Sequence, residues 1–222
     1  MPQSKLKASY IREVYRRLHA CFGPQHWWPA DSPFEVIVGA ILTQNTSWSN
    51  VEKAIAALKQ EKLLQPKKLF ILDTHKLAQV IRPCGYYNLK AQRLKAFLKF
   101  LFQNFRGSLP RLFSLPTPRL REQLLQVKGI GPETADSIIL YAAEKPVFVV
   151  DAYTLRFLRR HKLIAEKAAY LEVQSLFERS LPRSAELFNE YHALIVRLGK
   201  KFCRKNPLCQ RCPLKKTFQA KR

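Results

Sequence analysis

The chain has 222 residues, 47% of them apolar and 25% charged, with 39 lysines and arginines against 16 acidic side chains and a formal charge of +23. That length and balance allow a packed core and exclude a disordered, collagen-like or disulfide-framed chain: there are seven glycines and five cysteines, an odd number. No apolar run approaches the roughly 18–20 residues of a membrane span, and Lys5, Lys7, Arg12, Arg16 and Arg17 leave no secretory core in the first twenty.

In chain order, Gly23-Pro24 is the first break. Val51, Ala54, Ile55 and Leu58 then predict a helix after the polar pair Thr46-Ser47. Leu94, Phe97, Leu98, Leu101 and Phe102 predict another, entered through Asn88 as its N-cap. Thr117-Pro118 reads as a cap and first turn, followed by Leu120, Leu124 and Val127 on one face. Val147–Val150 alone reads as a strand, and one short strand builds no sheet. The fold class expected is all-α. No break is long enough for a flexible tether, so a two-lobed arrangement must be compact.

The positive charge runs through the chain and is not confined to a tail. Arg82, Lys90, Arg93, Lys95 and Lys99 lie mid-chain, and residues 200–222 hold nine basic side chains and no acidic one. Such a surface favours polyanions, nucleic acid before an anionic membrane. The most specific local pattern is Leu124-Leu125-Gln126-Val127-Lys128-Gly129-Ile130-Gly131-Pro132-Glu133-Thr134-Ala135. It predicts a helix ending at Val127, a tight turn in which the glycines take positive φ, and a helix opened by Pro132 with Ala135, Ile138, Ile139 and Ala142 inward. Ile130 would plug into the interior, while N–H groups at the second helix's start offer a phosphate grip that positions DNA without reading sequence. An ordinary helical hairpin closed by glycines accounts for the same residues.

Val149-Val150-Asp151-Ala152-Tyr153 follows twenty residues beyond Gly131. With this spacing, and with Leu42-Thr43-Gln44-Asn45 and Gly85-Tyr86-Tyr87-Asn88-Leu89-Lys90-Ala91, the chain from about residue 34 resembles the helix-hairpin-helix (HhH-GPD) DNA glycosylases of the endonuclease III type. The resemblance implies two helical lobes with a base pocket between them, one of residues 1–29 and 141–222 and one of residues 30–140, and hydrolysis of an N-glycosidic bond. It implies a DNA-associated, cytoplasmic monomer whose partner is damaged double-stranded DNA, with no membrane.

The family's essential carboxylate falls at Asp151. Base excision develops positive charge on the sugar, which a nearby carboxylate stabilises, and the same group can orient or deprotonate water. Capping the helix near Tyr153 is the structural role for the same side chain. Family members with lyase activity carry a Schiff-base lysine four residues after the first hairpin glycine; here that position is Glu133, and Lys128 precedes the turn. A carboxylate cannot form an imine, so the expectation is a monofunctional glycosylase that leaves an abasic site uncut.

Trp27-Trp28-Pro29 and Trp48 bracket the residue 42–45 motif and resemble the 3-methyladenine branch, whose pocket sandwiches a flipped base between aromatic rings. A cationic alkylpurine gains roughly 0.5–2 kcal/mol against indole faces, and its glycosidic bond is already labile. Core packing is the plainer role for each tryptophan. Mismatched or oxidised bases are the alternative substrates, and a non-catalytic DNA-binding hairpin module is the alternative class. By family position Gln44 and Tyr86 are the wedges that fill the hole left by a flipped base, although each also has an ordinary packing or capping role.

Cys203-x5-Cys209-x2-Cys212 resembles the family's [4Fe-4S] loop, but the fourth ligand position is Phe218 and the first interval is one residue short. Cys21 and Cys84 are distant in sequence, and the family fold gives no reason to bring either close. Three alternatives stand: a cluster with a non-cysteine ligand, a zinc site borrowing His192, and a degenerate loop without metal, which the spacing favours. Lys200, Lys201, Arg204, Lys205 and Arg211 keep a DNA-contacting role open for the loop in every case.

Overall fold

The computed structural model describes residues 3–215, with the side chains of residues 3 and 4 left aside. In chain order the α-helices are α1 (Gln3–Phe22), α2 (Pro33–Leu42), α3 (Trp48–Gln60), α4 (Pro66–Ile71), α5 (Thr74–Val80), α6 (Tyr87–Phe105), α7 (Leu109–Phe113), α8 (Thr117–Leu125), α9 (Pro132–Ser137), α10 (Ala152–Arg160), α11 (Tyr170–Ser180) and α12 (Ala185–Lys201). No strand occurs among the described residues, and their fold is all-α. The chain divides into two compact units: Met1–Pro29 with Glu144–Arg222, and Ala30–Ala143.

The second unit is built around α2. Ser32 caps it by accepting the Glu35 N–H, Pro33 opens it, and every residue from Phe34 to Leu42 is buried. A helix apolar all round belongs in a core, here against α3, α6 and the π-helical segment Ile138–Ala142 that continues α9. Its one buried acid, Glu35, is matched by Lys59 at 2.7 Å and by the Asp31 N–H at 3.0 Å. The predicted face of α6 is buried at Leu94, Phe97, Leu98 and Leu101, and Phe102 stacks on Phe70 at 4.3 Å between centroids. Lys95 reaches back from α6 to the carbonyls of Leu69, Phe70 and Leu72, satisfying the C-terminal end of α4.

Three boundaries differ from the sequence expectation. Asn88 lies inside the first turn of α6, and the residue before that helix is Tyr86 in the left-handed region, φ 45°. Pro116 takes the cap position of α8, with Thr117 as its first helical residue. That helix ends at Leu125, and Val127 already belongs to the turn.

In the first unit α1 packs on α11 and α12, and α10 on α12. The Tyr191 hydroxyl, wholly buried, donates to the Ile11 carbonyl at 2.8 Å and fixes α12 against α1. The strand expected at Val147–Val150 is instead a buried, irregular segment, because no second strand faces it. Side chains of the following helices do a partner strand's work: Glu178 accepts from the Phe148 N–H at 3.0 Å, Gln174 donates to the Phe148 carbonyl at 2.8 Å, and the Tyr170 hydroxyl accepts from the Val150 N–H at 3.3 Å. Phe148 also stacks face to face on Phe177 at 3.9 Å. The segment is thereby held firmly where it delivers Asp151.

Candidate active site

The hairpin joins α8 to α9. Gly129 takes φ +90°, and a β-carbon added there would meet Arg93 Cγ at 2.4 Å, so both backbone and space require glycine. Gly131 is different: its φ of −93° and ψ of −179° suit any residue, contrary to the expectation that both glycines need positive φ. The space beside its α-carbon is open. There glycine leaves the backbone bare for an approaching group and relieves no strain. Ile130 is buried as expected, its N–H bonded to the Val127 carbonyl at 3.0 Å. Beneath the turn, Arg121 of α8 grips the fully buried Asp136 of α9 through two bonds of 2.7 and 3.2 Å. Lys128 and Glu133 both lie exposed on the outer side.

Gln44 joins this construction. Its amide nitrogen donates to the Gly129 carbonyl at 3.0 Å and to Thr134 Oγ1 at 2.9 Å, while its amide oxygen accepts from Arg93. A wedge role for Gln44 therefore requires releasing these bonds. Arg93 and Thr134 were not singled out by motif; the geometry alone reveals them as the residues bracing the turn. Tyr86 answers more directly to a wedge. It is 70% exposed, held outward by Gly85 at φ +65° and by its own positive φ. The turn beneath it is anchored by Lys90, a buried lysine whose ammonium donates to the Cys84 carbonyl at 2.7 Å and whose pKa burial pushes down.

In the first unit, Asp151 caps α10. One carboxylate oxygen accepts from the Thr154 N–H at 2.7 Å and from the Thr154 hydroxyl at 2.8 Å. The other faces His192 Nε2 at 3.6 Å. Burial works to raise the carboxyl's pKa, but the facing His192 and the two bonds from Thr154 outweigh it and hold the group below its usual value. A buried carboxylate kept ionised is suited to stabilise positive charge developing on a sugar. The same helix packs very closely on α12: a β-carbon at Gly199 would lie 2.2 Å from the ring of Tyr153. His192 of α12 lies beside Asp151.

Trp27 and Trp28 are half-buried in the first unit, their ring centroids 5.1 Å apart and planes inclined at 46°. A base sandwiched between two rings needs about 3.5 Å on each side. The pair leaves no slot between its members. Pro29 is exposed next to them, and Trp48 opens α3 in the second unit, half-buried.

The cysteine loop follows α12. Cys203 is buried, Cys209 exposed and Cys212 intermediate, while Phe218 lies outside the described residues. Two arginines of α10 hold the loop: Arg156 bonds the carbonyls of Cys203 (2.7 Å) and Gly199 (3.3 Å), and Arg160 bonds the carbonyls of Arg204 and Lys205 and the Cys203 sulfur (3.3 Å). Cys21, expected to stay apart, is near enough to act on Cys212. Burial raises that thiol's pKa, and the charges of Cys203, Cys209 and Cys21 raise it further. Cys84 remains apart, buried in the second unit. Among the described residues no group of three or more cysteine, histidine or acidic side chains is arranged to hold a metal ion.

An all-helical fold carrying a glycine hairpin and a buried, helix-capping aspartate twenty residues beyond it defines a helix-hairpin-helix DNA glycosylase. The chain belongs to the HhH-GPD superfamily of base excision DNA repair proteins, whose family model matches residues 38–183. It is 51% identical over 211 residues, 94% of this chain and 96% of the relative, to a Methanocaldococcus jannaschii protein assigned as a DNA repair glycosylase. Among solved structures it resembles the H. pylori 3-methyladenine DNA glycosylase bound to 1,N6-ethenoadenine, with a TM-score of 0.73, 31% identity, and coverage of 90% of this chain and 98% of that one. A non-covalent endonuclease III–DNA complex shares the fold at a TM-score of 0.80 and 23% identity, covering 94% of each chain. The protein is a DNA glycosylase of base excision repair, acting on N-glycosyl bonds. No helix among the described residues is long and apolar enough to cross a membrane.

Proposed function

We propose that the protein is a monofunctional glycosylase that releases alkylated purines such as 3-methyladenine from duplex DNA. The observation that carries this reading is a buried carboxylate at Asp151, held below its usual pKa, in a chain that has an exposed carboxylate at position 133, where lyases of the fold hold their lysine. Asp151 stabilises the oxocarbenium-like transition state, water attacks, and the strand stays intact because no imine forms. Tyr86 fills the space left by the flipped nucleotide, and the bare backbone at Gly131 receives a phosphate.

The alkylpurine preference is supported by the half-buried indoles of Trp27 and Trp28 and by the likeness to the H. pylori 3-methyladenine enzyme. An electron-rich indole face attracts a cationic base by about 0.5–2 kcal/mol, a modest gain that suffices where the bond is already labile. The cysteine loop acts in this reading as an arginine-braced, basic DNA-contacting loop that works without a cluster. The test is a methylated duplex analysed for free base, strand scission and borohydride trapping together. Free 3-methyladenine, an unbroken strand and no trapped complex are expected. A trapped covalent complex would overturn the monofunctional mechanism, and release of only mismatched or oxidised bases would overturn the substrate.

A further inference from the structure

The carboxylate of Asp151 has two different supports. Oδ1 is engaged locally, by the N–H and hydroxyl of Thr154 three residues on, an arrangement any helix N-cap can supply. Oδ2 is faced from a separate helix by His192 Nε2 at 3.6 Å. Both residues are less than a tenth exposed. The Phe148 ring stands edge-on to the histidine at 6.5 Å, and the preceding residue of α12, Tyr191, is pinned to α1 by its hydroxyl. Capping needs only Oδ1. A second polar partner for Oδ2, brought 41 residues along the chain into an apolar surround, has no purpose in helix capping.

We propose that His192 is a positioning residue for Asp151, its Nε2–H directing Oδ2. This role rests on Asp151 being the essential carboxylate. At 3.6 Å the contact is longer than a formed hydrogen bond, and such contacts in free enzymes tighten when substrate is bound. With Oδ1 locked by Thr154 and Oδ2 steered by His192, the plane of the carboxylate is set from both ends, so its charge is aimed before the sugar arrives.

Gln and Asn at position 192 form a matched pair. The Gln amide nitrogen reaches the place of Nε2, whereas that of Asn stops near Nδ1, yet both are polar and smaller than the imidazole. Single-turnover base release and DNA affinity are measured for wild type, His192→Gln, His192→Asn and Asp151→Asn. Gln is expected to stay within about threefold of wild type and Asn to lose about tenfold or more in rate at unchanged affinity, the loss of one hydrogen bond to a charged group. Equal rates for Gln and Asn would overturn the proposal. An active Asp151→Asn would instead overturn the reading on which it rests.

A titration of the Asp151 carboxyl by NMR supplies a readout independent of substrate. The side chains that act on the Asp151 carboxyl are His192 from α12 and Thr154 on α10 itself; Tyr170 and Glu178 from α11 bond the preceding backbone at Val150 and Phe148. His192→Asn should raise the Asp151 pKa and His192→Gln should raise it less. No difference from wild type in either variant would contradict the contact.

Discussion

Gln44 donates its side-chain amide to the carbonyl oxygen of Gly129, 85 residues further along the chain, at 3.0 Å. The Leu42–Asn45 motif and the hairpin are therefore one piece of machinery: Arg93 bonds Gln44 from α6 and fills the space a side chain at position 129 would need.

The two hairpin glycines should accordingly respond differently to substitution. Gly129→Ala places a β-carbon at positive φ against Arg93 and should cost more than about 1 kcal/mol of stability. Gly131→Ala meets no atom and an ordinary φ, so its stability should stay within about 0.5 kcal/mol of wild type. If the Gly131 backbone receives a phosphate, the same methyl lowers DNA affinity severalfold. Chemical denaturation and a DNA-binding titration of both variants check this, and unchanged affinity for Gly131→Ala would remove the phosphate grip from that residue.

The Arg121–Asp136 pair beneath the turn predicts a severe single variant and a milder double one. Arg121→Ala leaves a fully buried carboxylate without its guanidinium partner and should destabilise by about 3–5 kcal/mol. Replacing both residues, Arg121→Met with Asp136→Leu, removes the charge together with its partner and should recover much of that loss. A double variant no more stable than Arg121→Ala would contradict the account.

Acid sensitivity should arise partly at His161. Burial lowers its pKa from 6.5 to about 4, and its Nδ1 meets the Tyr10 hydroxyl. Between those values the unfolded chain binds a proton that the folded chain refuses. The stability linked to neutral His161 is complete above pH 6.5 and drains away as pH falls toward 4, by up to about 3 kcal/mol. His161→Gln keeps an acceptor for Tyr10 and does not titrate. Unfolding free energies measured across that range should fall less steeply for the variant, and equal slopes would refute the assignment.

The parts of this protein visible in its sequence are those governed by local rules. The helical faces of α3 and α6, the break at Gly129, the plug at Ile130 and the cap at Asp151 all follow from periodicity or from backbone preference at a single residue. What stayed hidden depends on tertiary approach. Nothing in the sequence around His192 points to Asp151, and Arg93 looked like one charge among many until the space beside Gly129 explained it. Val147–Val150 misled because an apolar run says only that a segment is buried; whether it pairs as a strand depends on a neighbour this fold lacks. Asn88 and Thr117 erred by a residue or two since their caps were judged by side-chain type, whereas Gly85 and Tyr86 in the left-handed region set where α6 begins.

The central claim is that Asp151 carries the hydrolysis. It is tested most directly by base release from methylated duplex DNA with wild type and Asp151→Asn side by side. Asparagine keeps an oxygen for the Thr154 N–H, so the cap, the fold and DNA binding should survive while the negative charge is lost. Free 3-methyladenine from wild type and none from a folded, DNA-binding Asp151→Asn is the predicted result; release from both proteins at similar rates would contradict it.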